Sequence, residues 1–389
     1  MSDTQKHTKL NVPNLRFPGF EGEWECRKIG DDCSVLMCKR IFANQTSEQG
    51  DVPFYKIGTI GAEPDAYISR ELFKDYKAKY NYPCKGEVLV TCAGTVGKTI
   101  VFDGEDSYYQ DSNIVWLSNP KQLYINSFLN YFLSRVNWNK LNSTTITRIY
   151  NDNLRELVIK YPSVKEQEKI VTLLSLLDQR ISIQNRVIED LKKLKAALCE
   201  SMYDEYEPNC MMGEIIEQTS TRNREGECLK VLSVSNQLGF IEQSEQFEGR
   251  TIASQDTSNY KIVSRDDFAY NPARINVGSI ARLKGLEKGI VSPMYVCFRC
   301  KKGILPGYLE AFFDTDYFFL EMEKRLEGSV RMCLSYNGIC NIPIAIPSLE
   351  EQKSVMSKIQ VLNDKIELEE SISKCLFIQK QYLLYQMFI

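Results

Sequence analysis

Apolar positions recur along this chain at two periods, and the two alternate. Between residues 20 and 161, and again between 207 and 346, short runs alternate apolar with polar residues and are punctuated by Gly, Asn and Asp. Examples are Glu87–Thr91, Lys98–Phe102, Asn113–Leu117, Tyr260–Val263 and Pro293–Phe298. Period two with such punctuation predicts strands and turns. Weaker helical patterns follow at Ser127–Asn139 and Gly307–Leu326. After each strand-rich segment the period changes. Ile170, Leu174, Leu177, Ile181, Gln184, Ile188, Leu191, Lys195, Leu198 and Met202 succeed one another at steps of four and three, a heptad seam. The predicted order is a tail (1–19), a globule (20–161), a long helix (162–206), a second globule (207–346) and a second long helix (347–389). The class is α+β, two strand-rich globules separated by long helices.

The two long helices are copies. Pro162-Ser-Val-Lys-Glu-Gln167 recurs as Pro347-Ser-Leu-Glu-Glu-Gln352, and the offset of 185 holds without a gap to Met202 and Met387. Ten of these 41 pairs are identical, among them Glu166, Gln167, Leu177, Ile181, Leu191, Lys195 and Leu198 with their mates. The second seam runs through Val355, Ile359, Leu362, Ile366, Glu369, Ser373, Leu376, Lys380, Leu383 and Met387. Pro-Ser before a charged first turn opens a helix well. At ~1.5 Å per residue, about 38 residues reach ~57 Å. Lys at one register of both seams favours mutual pairing, because a polar seam position fixes alignment.

Composition narrows the class. With 389 residues, 43% hydrophobic and 11% aromatic, the chain can bury several cores. Met1–Asn14 lacks an apolar leader core, and no stretch approaches the ~18 apolar residues of a membrane span. Thirteen irregularly spaced cysteines fit free thiols in a reducing, cytoplasmic setting. The formal net charge of −3 weighs against a nucleic-acid binder by sum, although a basic face depends on placement.

Familiar chemistry fails on inspection. Ala93-Gly-Thr-Val-Gly-Lys-Thr99 has the end of a phosphate loop, but Cys92 stands where its first glycine belongs. Asn271-Pro-Ala-Arg274 lacks the second proline and the stacking aromatic of an adenine methyltransferase motif. Cys297-Phe-Arg-Cys300 has ligand spacing, but a strand points its ends to opposite faces, and the single histidine is His7. No catalytic residue and no metal ligand is expected.

Several segments resemble the specificity subunits of type I restriction–modification systems. Leu15-Arg-Phe-Pro-Gly-Phe-Glu-Gly-Glu-Trp24 is similar to the start of that family's first domain, and Pro-Ser-x-x-Glu-Gln to its helix starts. Gly86-Glu-Val-Leu-Val-Thr-Cys-Ala-Gly-Thr-Val-Gly97 resembles a strand–turn of the first target-recognition domain. Asp267-Phe-Ala-Tyr-Asn-Pro-Ala-Arg-Ile-Asn-Val-Gly-Ser279, followed by Gly289-Ile-Val-Ser-Pro-Met-Tyr295, resembles its counterpart in the second. The resemblance covers nearly the whole chain. It implies two target-recognition domains, each reading half of a split, asymmetric site in double-stranded DNA, with the helices as an antiparallel coiled coil between them. It also implies two modification (methyltransferase) subunits binding S-adenosylmethionine, and restriction (motor–nuclease) subunits using ATP and Mg. No cofactor is then expected on this chain. Rival readings are a self-contained methyltransferase or nuclease, and a coiled-coil scaffold without a DNA role.

Within that frame the candidate readers follow from base-edge chemistry, since Arg suits guanine and Asn suits adenine in the major groove. In the second globule they are Tyr270, Asn271, Arg274, Asn276 and Ser279, with Ile275 and Val277 expected inward on a strand. In the first they are Lys98, Tyr109, Gln110, Asn113, Thr144, Thr145, Thr147 and Arg148. Solvated strand faces carry the same residue types. Because acids and bases nearly cancel, much of the phosphate grip is expected from partners, and the isolated chain is expected to bind DNA weakly.

Overall fold

A computed structural model describes residues 11–111, 113–138, 148–226, 230–236, 238–243, 256–329 and 331–389, the side chains of Met202 and Asp204 excepted. The chain divides into two compact units. The first comprises residues 1–183 and 373–389, the second residues 184–372. The division falls inside both long helices, so each unit owns a globule and a piece of each helix.

In the first unit, β1 (Glu25–Lys28) pairs antiparallel with β9 (Val158–Tyr161), closing the globule just before the first long helix. Four antiparallel strands follow in the order β2-β8-β5-β6: β2 (Ser34–Met37), β8 (Ile114–Ser118), β5 (Val88–Thr91) and β6 (Thr99–Val101). The strands β5 and β8 are buried on both faces, which explains their unbroken apolar runs. Beside them β3 (Val52–Tyr55) lies between β4 (Tyr67–Ile68) and β7 (Tyr108–Tyr109), parallel to the latter. The pattern expected at 127–139 is a helix over Asn126–Ser134.

The second unit repeats this plan. β10 (Cys210–Met211) pairs with β19 (Pro343–Ile344) before the second long helix. The order β11-β18-β15-β16 joins β11 (Ile216–Thr219), β18 (Val296–Cys300), β15 (Phe268–Tyr270) and β16 (Ile280–Arg282), again all antiparallel. A second sheet, β13-β12-β17-β14, holds a parallel pair, β12 (Val231–Ser235) with β17 (Lys288–Val291). β13 (Gly239–Glu242) and β14 (Lys261–Ser264) flank them. The helical pattern at 307–326 is two helices, Pro306–Phe312 and Asp316–Glu323. Thr315 divides them because its side chain caps the second by accepting from the Phe318 amide at 3.2 Å.

The long helices span Val164–Asp204 and Leu349–Met387. Their seams are inside. Leu177, Ile181, Leu191, Leu198, Leu362 and Leu383 are half-buried, and Ile170, Leu174, Ile359, Ile366 and Leu376 are buried. In each unit the helices run antiparallel. In the first, Asp178 meets Lys380, while Ile170 and Leu174 share a core with Leu384 and Met387. In the second, Gln184 donates to Glu369, its own mate in the repeat, while Leu198 and Cys199 share a core with Val355 and Ile359. The repeated lysines do not act alike. Lys380 reaches across the helix pair to Asp178, whereas Lys195 pairs at 3.2 Å with Asp314 of the globule.

The repeated Pro-Ser-x-x-Glu-Gln has a structural cause. Gln167 is fully buried; its Oε1 accepts from the Ile125 amide at 2.8 Å, and its Nε2 donates to the Leu123 and Pro162 carbonyls at 2.9 Å. Gln352 does the same for Leu305 N (2.8 Å), Gly303 O (3.0 Å) and Pro347 O (3.0 Å). One side chain thus ties the first turn of each long helix to the loop before the globule's helix, satisfying buried backbone groups that would otherwise be stranded. Glu166 takes a two-armed ion pair from Arg16, both contacts 2.8 Å, which fastens the N-terminal segment to the same turn.

The helix ends also repeat. Phe388 lies face to face with Phe128 at 4.8 Å and edge-on to Trp24 in the first unit. Tyr203, its mate at an offset of 185, packs on Tyr308 and Phe312 in the second.

Candidate nucleic-acid interface

The two turns singled out from the sequence occupy equivalent places. Residues 92–98 join β5 to β6, and residues 271–279 join β15 to β16. Each ends on a glycine in the left-handed region, Gly97 at φ 80° and Gly278 at φ 86°. Only glycine adopts that conformation readily, so the turn geometry rests on it.

In the second unit the turn is not the expected strand. Ile275–Val277 forms a single 3₁₀ turn closed by Gly278. Ile275 is buried as expected, but Val277 is 49% exposed, because a period of three rather than two carries it outward. Tyr270, Asn271 and Ser279 are also placed differently from a reading face. Tyr270 lies in the core with its hydroxyl donating to the Leu334 carbonyl at 3.2 Å. Asn271 is buried and accepts from the Ala273 amide at 3.1 Å, and the Ser279 hydroxyl donates to the Val234 carbonyl at 3.2 Å. These three hold the turn from behind. Arg274 and Asn276 project from it into solvent, and among the described residues no ion pair engages Arg274.

Arg274, Val277, Asn236, Tyr260 and Met294 line an open cleft of about 330 Å³. Its second wall is the β12–β13 hairpin at Asn236. A side chain at Gly278 would come within 3.7 Å of the Asn236 Cβ, so the two turns touch. The third wall is the turn Ser292–Tyr295, in which Met294 is 57% exposed. Tyr295 anchors that turn. Its hydroxyl accepts from the Val234 amide at 3.3 Å, and its carbonyl accepts from the Lys261 ammonium at 2.6 Å. Sequence reasoning missed Asn236, Tyr260 and Met294, because they come from three separate turns and share no local pattern.

In the first unit the equivalent turn is covered. Lys98 donates to the Ile60 carbonyl at 2.6 Å, and Trp138 packs so closely on Gly97 that no Cβ would fit. Gln110 accepts from the Ile57 amide at 3.3 Å, bringing the loop at 57–61 over the turn. Tyr109 is buried, bonded at 2.8 Å to the Ser107 hydroxyl, so its ring packs in the core instead of facing outward. Asn113 and Ile149 flank the start of the turn through their backbones. The Asn113 carbonyl accepts from the Cys92 amide at 2.7 Å, and the Ile149 amide donates to the Cys92 carbonyl at 2.9 Å. This places Arg148, stacked over Tyr150 at 5.9 Å, beside the turn. Thr144, Thr145 and Thr147 lie outside the described residues.

Among the described residues no cluster of His, Cys, Asp or Glu could hold a metal ion, and no helix is long and apolar enough to cross a membrane.

Comparison with known proteins bears on these two units. Residues 21–193 match the family described as type I restriction modification DNA specificity domain. Over that stretch the chain is similar to the type I restriction–modification specificity family. A putative type I restriction enzyme specificity subunit of Haemophilus influenzae is 51% identical over 164 residues, 42% of this chain. The chain spans likewise 42% of that relative's length. The putative MjaX specificity subunit of Methanocaldococcus jannaschii is 22% identical over 94% of this chain and 92% of its own. The fold matches a crystal structure of a type I system S subunit from M. genitalium (TM-score 0.58, 16% identity), covering 97% of this chain and 99% of that one. A structure from a study of type I system assembly and conformational transition also matches (TM-score 0.54, 14% identity, 95% and 97% covered). The matched stretch contains β1 to β9, the covered turn and the first long helix as far as Lys193. The second unit lies beyond that match and repeats its sheet order.

Proposed function

We propose that this chain chooses the DNA sites of a type I restriction–modification enzyme and carries out no chemistry itself. Each unit reads one half of a bipartite, asymmetric site in double-stranded DNA. The long helices set the gap between the halves and dock two modification subunits. S-adenosylmethionine is then bound by the modification subunits, and ATP and Mg by the restriction subunits. The assembly acts in the cytoplasm.

The observation that carries this reading is the repetition of one sheet plan, with a glycine-closed turn at the same place in both units, where one unit is the matched specificity domain. In the second unit Arg274 and Asn276 supply the charge-bearing and amide groups that pair with guanine and adenine edges. Several cations of the first unit are engaged by acids, as in Arg40–Asp111, Lys56–Asp65 and Arg70–Asp106. Phosphate grip therefore comes chiefly from partner subunits, and the chain alone binds DNA weakly.

Purified chain incubated with DNA and labelled S-adenosylmethionine should transfer no methyl group. Adding the modification subunit should produce methylation at one bipartite sequence. Transfer by the chain alone would favour the self-contained methyltransferase instead.

A further inference from the structure

The cleft of the second unit combines groups that no single turn supplies. Asn236 stands exposed at one wall, while Val277 and Met294, both about half exposed, stand at the two others. Val277 and Met294 are not what holds the walls, which are braced by Tyr295, Ser279 and Asn271, so their apolar surfaces are open to a ligand. Asn236 offers one donor and one acceptor on an amide plane.

One base pair has the matching edge. In the major groove an A·T pair presents, in line, the adenine N7 acceptor, the N6 donor, the thymine O4 acceptor and the thymine 5-methyl group. A G·C pair offers no methyl, and its N7 and O6 are two adjacent acceptors that suit a cation. Resting on the DNA-reading function above, we propose that Asn236, Val277 and Met294 are specificity-determining residues that read one A·T pair. Asn236 pairs with adenine N6 and N7, and Val277 and Met294 enclose the thymine methyl. Arg274, on the same turn as Val277, is left for a neighbouring guanine. The cleft is open enough to admit a base edge, and hydrogen bonds of Tyr295, Ser279 and Asn271 brace its walls.

The test replaces thymine by deoxyuridine, which removes the methyl and nothing else. The site is first defined by mapping methylated bases in cells that carry the system. Each thymine of that site is then replaced in turn, and binding is measured for the chain assembled with its modification subunits. One replacement should weaken binding about fourfold, the worth of one buried methyl. Met294→Ala and Val277→Ala, both at exposed positions and so tolerated by the fold, should shrink or abolish that difference. Asn236→Ala should weaken binding about 5- to 150-fold, with its loss of base preference at the same pair. The proposal is overturned if no thymine responds, if Met294→Ala keeps the full thymine preference, or if the Asn236 effect maps to another pair. An assembly with no site preference at all would instead overturn the DNA-reading function itself, so the two failures are distinguishable.

Discussion

Replacing Gln167 by Leu isolates what the repeated Pro-Ser-x-x-Glu-Gln contributes. Leucine is similar in volume, so the change removes hydrogen bonds and leaves no large cavity. One amide, Ile125 N, and two carbonyls, Leu123 and Pro162, lose partners at 2.8, 2.9 and 2.9 Å around a fully buried side chain. Each stranded buried group costs about 1–3 kcal/mol, so even the lower bound for three is about 3 kcal/mol. For a unit of this size that lowers the unfolding midpoint by about 6–12 °C. Hydrogen exchange read by mass spectrometry should show lost protection at the start of the first long helix and the helix Asn126–Ser134. Gln352→Leu should do the same around the helix Pro306–Phe312, because its three bonds are equivalent. In the assembled enzyme each variant should blunt selection of one half-site and spare the other. A Gln167→Leu protein within about 1 kcal/mol of wild type would refute the claim that these bonds hold the helix start.

Arg274→Ala or Asn276→Ala should cost about 1–3 kcal/mol at one half-site and relax the base preference there, with the other half-site unchanged; selection from a random library reads this out, and wild-type preference at every position would remove the turn from the reading surface. Inserting one heptad after Gln184 and another after Glu369 keeps both seams in register and adds ~10 Å. At ~3.4 Å per base pair the preferred gap should then grow by about three base pairs, with some affinity lost to the turn of the duplex; an unchanged gap with binding retained would mean the helices serve docking alone. Burial pushes the thiols of Cys33, Cys38 and Cys297 up to about 12, so at pH 8 on the order of 1 in 10⁴ is thiolate. Iodoacetamide at that pH should label the exposed Cys26, Cys84 and Cys375 first and the buried thiols only after denaturation, and equal labelling of Cys297 and Cys84 would contradict the burial.

Local and periodic features were legible in the sequence. The heptad seam could be read because a helix presents every third or fourth residue to its partner, and the fourteen apolar seam residues whose side chains are described are all buried or half-buried. Four of the five strand runs lie within one residue of β5, β6, β8 and β14, while the run Pro293–Phe298 starts three residues before β18 because its first residues form the turn at 292–295. Tertiary structure alone decided the rest. Outside the helices the repetition of the two globules is carried by sheet order and by Gly97 and Gly278, while the side chains between have diverged, so no offset in the sequence exposed it. A strand reading of residues 274–279 followed from alternation, yet one left-handed glycine turns that stretch into a 3₁₀ loop and reverses the side of Val277. Tyr109, Tyr270, Asn271 and Ser279 carry the groups of DNA readers, but their hydroxyls and amide are spent on holding turns in place. Whether a polar side chain faces a ligand or braces the backbone depends on contacts far away in sequence, such as Ser279 with Val234 or Gln167 with Leu123. Periodicity reports which face of an element is buried; only the folded chain brings Asn236, Val277 and Met294 from three turns to the rim of one cleft.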